Sequence, residues 1–375
     1  MPTPAELREE FLLDPDVTFL NHGSFGACPR TVFERYQAWQ RELEHEPVDF
    51  IARRLTPLLA EARAELSAYV GAPPQDLAFV QNATTGVNIA ARALDLQPGD
   101  EVLATDVEYG ACDLTWVHVC ARAGARYVRA SVDGLLERVT ERTRAVFLSH
   151  VTSATALLLP VEAIVREARA AGLVTIVDGA HAPGQLPLDL DALGADFYAG
   201  NCHKWLCAPK GSGFLHVRPE HQDRVDGAIV SWGYEEPSTF VSRTGRQGTH
   251  DAAAYLAVPE AIAFQRERNW DEVSARCRAL ALEARDELCA AFDTEPLAPD
   301  DMLLQMASVR IPPGVDGEAL ALRLWTERRI EIPAMRPQKD LLRLSVAAYT
   351  TREDVERLLD ALPPLVRTSR SPARP

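Results

Sequence analysis

The chain has 375 residues, 47% of them hydrophobic and 25% charged, with a formal net charge of −15. That length and balance fit a globular protein of two domains, at most three, and the acidity argues against a surface for nucleic acid or anionic lipid. The opening MPTPAELREEFLLDPD has neither a basic start nor an apolar stretch, no apolar run is long enough for a membrane span, and seven scattered cysteines (28, 112, 120, 202, 207, 277 and 289) without a CxxC pair suit the reduced thiols of a cytoplasmic protein.

After VTFLN (17–21), helical patterns run near 29–46 and 49–70, broken at Pro47. Strands and helices then alternate. DLAFVQ (76–81) precedes a helix from Thr85 to Ala93, and DEVLATD (100–106) precedes a helix near 111–124. ARYVRAS (125–131), RAVFLSHV (144–151), a helix over 161–171, GLVTIVDG (172–179), ADFYAGN (195–201) and GSGFLHVR (211–218) complete the set. Several of these strands are apolar throughout, without alternation, which marks a parallel sheet buried on both faces and hence an α/β core. Near residue 250 the texture changes. Helices over 251–268 and 270–293 lead to MASVRIP (306–312), a helix from Gly317 to Arg328, IEIPA (330–334), LLRLSVA (341–347) and a helix from Thr351 to Leu362. The expected division is a large α/β domain over 17–250, a small α+β domain from 1–16 with 251–365, and a frayed polar tail over 366–375.

In an open α/β sheet, ligands sit at the carboxyl ends of the strands. Asn82, Thr84, Thr85 and Gly86 open a helix there, either as a phosphate cradle of backbone N–H groups and hydroxyls or as a simple N-cap. Asp178 ends the most apolar strand, either capping Gly179–His181 or holding a positive partner. Only three lysines stand beside thirty-six arginines: Lys204, Lys210 and Lys339. Lys204, between His203 and Trp205, follows a strand. A buried lysine yields a free amine that condenses with a carbonyl, which arginine cannot do. Lys210 and Lys339 read as solvated loop residues. A phosphate site, a buried carboxylate and such an amine are together what pyridoxal 5′-phosphate requires. Cys202 and Cys207 flank Lys204, but their spacing with His203 fits no common zinc pattern, and small buried residues are expected. No metal site is expected.

NATTGVN, DVEYGA, SHVTSAT, VDGAHAPGQLPLDL, GADFYAGNCHKWLCAPKGSGFL, GTHD and LRLSVAAYTTREDVERL resemble the class V aminotransferase-type enzymes, and with LNHGSFGACP most resemble their isopenicillin N epimerase-like branch. The resemblance runs from Phe19 to Leu362. It implies a fold type I pyridoxal-phosphate transferase, aspartate aminotransferase-like, with a large mostly parallel sheet domain and a smaller α+β domain. It implies Lys204 as covalent anchor and α-proton shuttle, Asp178 on the pyridine nitrogen, His181 beside the O3′ edge, Tyr109 stacked on the opposite ring face, and Thr84, Thr85 and His203 at the phosphate. Thr249 would reach the phosphate of the neighbouring subunit of a homodimer. Arg343 would grip the substrate α-carboxylate as a fork, and Asn21, His22 and Ser24 would line the substrate mouth. Ser149, His150 and Ser153 could face the cofactor. Tyr109 could equally be a sheet-edge aromatic and His181 a cap, whereas Arg343 on an apolar strand points to function, because an unpaired buried guanidinium is costly.

The reaction then expected is Cα–H deprotonation of an α-amino acid: epimerisation first, β-elimination from a cysteine-type substrate almost level, and transamination behind. Epimerisation needs a second acid–base group, for which Tyr109, His22 and His150 are candidates. Residues 326–343, TERRIEIPAMRPQKDLLR, hold no cysteine for a persulfide-forming desulfurase. No GxGxxG follows an early strand, so a nicotinamide enzyme is not expected, and no DNA-binding module supports a non-catalytic regulator. SWGYEEPSTF (231–240) could be a lid. Arg243 and Arg246 could bind a second carboxylate or be solvated.

Overall fold

The structure, a computed structural model, describes residues 2–335 and 340–368, so the expected tail beyond 368 and Lys339 lie outside the described residues. Its strands, in chain order, are β1 (Thr18–Phe19), β2 (Leu77–Val80), β3 (Glu101–Thr105), β4 (Arg126–Ala130), β5 (Thr143–Ser149), β6 (Val174–Gly179), β7 (Phe197–Asn201), β8 (Gly213–Val217), β9 (Met306–Arg310), β10 (Ile330–Glu331), β11 (Ala334–Met335) and β12 (Leu341–Ser345).

The chain divides into two compact units. One comprises residues 31–151 and 159–264; the other comprises 1–30, 152–158 and 265–375. The division differs from the expected one at three places, each with a local cause. The segment after residue 250 stays with the sheet unit because Tyr255 stacks on Phe79, with ring centroids 5.0 Å apart, and the Leu256 carbonyl accepts from the Trp39 indole. Residues up to 30 go with the other unit, where Phe11 bridges to Pro29. Residues 152–158 also belong there, where Leu157 pairs with Leu303 and the Leu158 N–H donates to Met302 O. Such non-local pairing leaves no mark in a single sequence.

In the sheet unit, seven strands lie in the order β2-β8-β7-β6-β5-β3-β4. All pairs are parallel except those of β8, which is antiparallel to both β7 and β2. β2 therefore points the same way as β7, and the carboxyl ends of six strands share one edge. Four strands (β2, β3, β7 and β8) are buried throughout and β5 and β6 nearly so, as their largely apolar runs require, while β4 at the rim is partly exposed. Strand order reverses between β3 and β5, where an open sheet of this kind leaves a crevice for ligands.

The helix Ala83–Ala93 is set on this sheet by a glycine. A Cβ on Gly86 would stand 2.8 Å from the Ala199 Cβ of β7, closer than real side chains approach. Its first N–H donates to Asn201 Oδ1 at 2.8 Å, and Asn82 caps the next turn by accepting from the Thr85 N–H at 2.9 Å. The helix N-terminus is thereby fixed over the end of β7.

The second unit has a core of Leu7, Leu20, Ala284, Leu288, Leu320, Leu324, Leu344, Leu358 and their neighbours. Its sheet β11-β12-β9 is antiparallel, and β1 pairs parallel with β10. The helix Gly317–Arg328 has its expected bounds, capped by Asp316. Two expected helices differ. That over 251–268 is split into Ala253–Leu256 and Val258–Arg266, because Pro259 has no N–H to continue the ladder. The last helix runs on to Thr368 through Pro363 and Pro364, carried by a buried stripe of Leu358, Ala361, Leu362 and Leu365. Among the described residues, no helix is long and apolar enough to cross a membrane.

Overpacking at the Gly86–Ala199 contact tests the sheet arrangement. Gly86→Ala should lower stability by about 1–3 kcal/mol, and Ala199→Gly in the same chain should restore most of it, read by denaturant unfolding. Equal losses in the single and double variants would show that the close approach does not set the helix position.

Candidate active site

Asp178 occupies the penultimate position of β6 and is 4% exposed. Its Oδ1 accepts from the Ala180 N–H at 2.9 Å, and its Oδ2 receives the Cys112 thiol at 3.4 Å. Both alternatives left open for this residue are therefore present in part, since it caps the following turn and also interacts electrostatically with Lys204. Burial pushes its carboxyl above the usual range; the Ala180 N–H, Lys204 and the thiol pull the other way. A thiol is a weak donor, and Oδ2 in this setting is suited to a charged N–H.

Lys204 lies in a turn locked on both sides. The Cys207 N–H donates to Lys204 O at 3.0 Å, the Ala208 N–H to Cys202 O at 3.0 Å, and the Cys202 N–H to Ser212 O at 3.0 Å. Cys207 adopts a left-handed φ of 63°, a strain of order 1 kcal/mol for a non-glycine residue that the surrounding bonds sustain. Cys202 and Cys207 are buried, as expected of small core residues, and burial raises the Cys202 thiol far above its ordinary value. The Lys204 Nζ is 3.0 Å from His181 Nε2, and the Trp205 indole N–H donates to His181 Nδ1 at 3.2 Å. Lys210 is exposed in the following turn.

Around these groups the expected residues fall unevenly. Thr84 and Thr85 are half-buried in the first turn of the helix Ala83–Ala93, but Thr85 Oγ1 donates to Asn82 Oδ1 at 3.2 Å, so it serves the N-cap as well. His203 donates through Nδ1 to Ser212 O at 2.9 Å, and burial lowers its pKa to about 4, leaving a neutral ring. Tyr109, 45% exposed, is the N-cap of the helix Gly110–Ala123. His150 is tied through Nδ1 to Tyr198 OH at 2.9 Å and pushed down to about 4 by burial. Ser149 donates both its N–H and its hydroxyl to Glu108, at 3.0 and 2.6 Å. Thr249 and Arg246 are exposed. Arg243 is engaged by Val225 O at 3.1 Å, Gln222 O at 2.7 Å and Ser238 Oγ at 3.4 Å, which pins the 225–245 segment.

The other unit has its own polar cluster. Arg343 of β12 is 1% exposed and donates to Ser153 O at 2.7 Å, Ser153 Oγ at 3.3 Å and Ser24 Oγ at 2.9 Å. Ser24 in turn donates to Asn21 Oδ1 at 2.5 Å, and Asn21 Nδ2 donates to Glu331 at 2.9 Å. Neutral oxygens thus orient the guanidinium. His22 is anchored to Tyr349 OH at 2.8 Å and buried. Gly23 is required here, because a Cβ would stand 2.6 Å from Met306 Sδ.

One buried acid escaped the sequence reading. Glu108, two residues before the helix Gly110–Ala123, accepts from Ser149 and from the Thr105 hydroxyl, and burial pushes its pKa up to about 7. The strand-end rule that singled out Asp178 would have found it, since it follows β3 by three residues. Cys112 carried no such signal. Asp196, Glu220 and His221 lie together, but Asp196 is occupied by Thr175, Arg169 and His221.

The chain belongs to the class V aminotransferase family, whose pattern it matches over residues 27–358. It is 40% identical to isopenicillin N epimerase from Streptomyces clavuligerus, over 95% of this chain and 97% of that protein. It is 29% identical to putative L-cysteine desulfhydrase 1 from Oryza sativa subsp. japonica, over 96% of this chain and 86% of that protein. Its fold is shared with a cysteine desulfurase from Escherichia coli, with a TM-score of 0.81 and 24% identity over 98% of this chain and all of that one. This is fold type I, with its large, mostly parallel sheet.

The Glu108 carboxyl gives a pH test. Its folded pKa lies above the unfolded value of 4.5, so its contribution is fully present below that pH and is lost as pH rises through about 7. Glu108→Gln should therefore gain on the wild type by up to about 1.4 kcal/mol per pH unit between pH 4.5 and about 7 and hold that gain above it, measured as the gap between denaturation curves at pH 5 and pH 8. A gap that does not change with pH would mean that the acid is already ionised at neutrality.

Proposed function

We propose that this enzyme carries pyridoxal 5′-phosphate on Lys204 and epimerises an α-amino-acid centre. The observation that carries the reading is the pair at the carboxyl ends of β6 and β7: a buried Asp178 with one oxygen on a weak thiol donor, and an amine 3.0 Å from a histidine. Asp178 suits a protonated ring nitrogen, Lys204 an aldehyde, and the N-terminus Ala83–Ala93 a phosphate, so these residues fit that cofactor. When bound, the cofactor supplies an electron sink that acidifies the substrate Cα–H.

The chain does the rest. Lys204 would hold the cofactor through its aldehyde and move the proton at the substrate Cα. Asp178 would hold the proton on the cofactor's pyridine nitrogen. His181 would lie on the O3′ side of the cofactor, Thr84, Thr85 and His203 would hold its phosphate, and a Thr249 hydroxyl from the partner subunit of a homodimer would complete that site. Arg343 takes the α-carboxylate with its planar fork, and Asn21 and Ser24 position that fork. Among the three candidates for the second proton-transfer group, Tyr109 is favoured. His150 and His22 are buried and already bonded to tyrosines, whereas the Tyr109 phenol is accessible. Seven free cysteines, six of them buried, suit a cytoplasmic setting.

A β-eliminating C–S lyase is the second reading, favoured by the likeness to a protein named as a cysteine desulfhydrase. Lys204 could then move the Cα proton alone, and no opposing acid would be needed. Transamination ranks behind both. No persulfide-forming step is proposed, since residues 326–343 contain no cysteine.

Amino acids incubated in D2O with the enzyme and cofactor separate these outcomes. Epimerisation places deuterium on Cα with loss of configuration, and Tyr109→Phe should slow it by roughly 10²-fold or more while exchange with retained configuration persists. Release of pyruvate and sulfide from cysteine, without inversion of any amino acid tested, would replace the first reading with the second. For Arg343→Lys, loss of the fork should raise KM by about 10- to 100-fold with a smaller change in kcat. An unchanged KM would remove Arg343 from substrate binding.

A further inference from the structure

The three-member contact Trp205–His181–Lys204 has a direction. An indole N–H can only donate, so His181 Nδ1, 3.2 Å away, must accept and carry no proton. A neutral imidazole then has its proton on Nε2, and that N–H faces the Lys204 Nζ at 3.0 Å. An imidazolium would need a proton on Nδ1 and would break the indole bond. An ammonium on Lys204 would set N–H against N–H. We propose that Trp205 is a positioning residue which locks His181 in its Nε2–H tautomer, so that His181 donates to Lys204 and holds its amine in the nucleophilic, lone-pair-bearing form.

The backbone enforces this geometry. Gly184 has a φ of +89°, and a Cβ there would lie 2.3 Å from the Trp205 carbonyl. Only glycine lets the 179–186 turn come this close to the lysine turn, and it is this approach that brings the indole to His181. Gln185 Nε2 donates to His181 O at 2.6 Å, and the Ala182 N–H donates to Gly179 O at 3.0 Å, which fix the same turn from within. Trp205 is 2% exposed, so water does not compete for its N–H.

Other charged groups act on the same amine. The Asp178 carboxylate of β6 favours its ammonium form, while any proton on His203, in its own loop, opposes it; Lys210 acts on His203. Tyr198 and Glu108 feel Asp178 rather than Lys204. The directed hydrogen bond at 3.0 Å is the contact that counters Asp178. It rests on the proposed function only in making Lys204 the nucleophile.

The chain holds just three lysines, which makes the test selective. The protein, stripped of any bound aldehyde with hydroxylamine, is labelled with trace acetic anhydride across pH 6–10. Each lysine peptide is quantified by mass spectrometry, with Lys210 and Lys339 as references in the same molecule. In the wild type, Lys204 should keep its labelling rate to lower pH than Lys210. In Trp205→Phe its profile should move toward that of Lys210 by about one pH unit, a tenfold loss of reactivity at the lower pH values. An unmoved Lys204 profile in a folded Trp205→Phe would overturn the proposal.

If Trp205→Phe does not fold, the pair His181→Gln and His181→Met decides. An amide accepts from the indole and donates to the amine, so Gln should preserve the low-pH labelling and Met should lose it; equal profiles would again overturn the proposal. Capture of added pyridoxal 5′-phosphate by borohydride on Lys204 is read separately. A variant that loses the labelling profile but still captures the aldehyde supports the relay and the anchor together, whereas wild type that shows the profile without capture refutes the cofactor alone.

Discussion

The structure turns on a carboxylate that the fold has placed where water cannot solvate it. Asp178 ends the central strand β6 with parallel neighbours on both sides, so its side chain is buried by construction. One main-chain N–H and one thiol are modest compensation for a buried carboxylate. Such a group is tolerated where a positive partner completes it, and a protonated pyridine is the partner proposed for it. The lysine turn, the helix N-terminus and the histidine are arranged around this same requirement.

Close backbone approach does most of that arranging. Gly86 seats the helix Ala83–Ala93 against β7, and Asn201 of β7 takes the helix's first N–H. Three residues later Lys204 enters a turn closed by Cys207 in a left-handed conformation. Gly184 then allows the 179–186 turn to meet that turn edge to edge. The N-terminus of the helix Ala83–Ala93, the amine and the histidine are therefore fixed by main chain rather than by flexible side chains, which favours a site that is ordered before any ligand arrives. In the second unit Arg343 is oriented in a similar spirit, by serine oxygens and a carbonyl.

Much of this was legible in the sequence, and the parts that were not have physical reasons. All seven strands of the large sheet were legible, several of them as unbroken apolar runs, and so was the helix Gly317–Arg328, whose Asp316 cap the structure shows. Lys204 stood out because so few lysines survive, and Asp178 because it ends an apolar strand. The allocation of residues 152–158 was invisible, since it depends on pairing with Leu303 and on the reach of Arg343. Proline signals misled in opposite directions: Pro259 broke a helix expected to be whole, while Pro363 and Pro364 failed to end one whose buried stripe continued. Glu108 was overlooked beside Tyr109, and the indole of Trp205 could not be aimed at His181 without coordinates.

The most direct measurement is of the covalent anchor. Purified protein is mixed with pyridoxal 5′-phosphate, its visible absorbance recorded, and the product reduced with borohydride and mapped by peptide mass. The account predicts a yellow protein with the label on Lys204 alone. A colourless protein, or label on Lys210 or Lys339, would contradict it and leave a fold of this family without its chemistry.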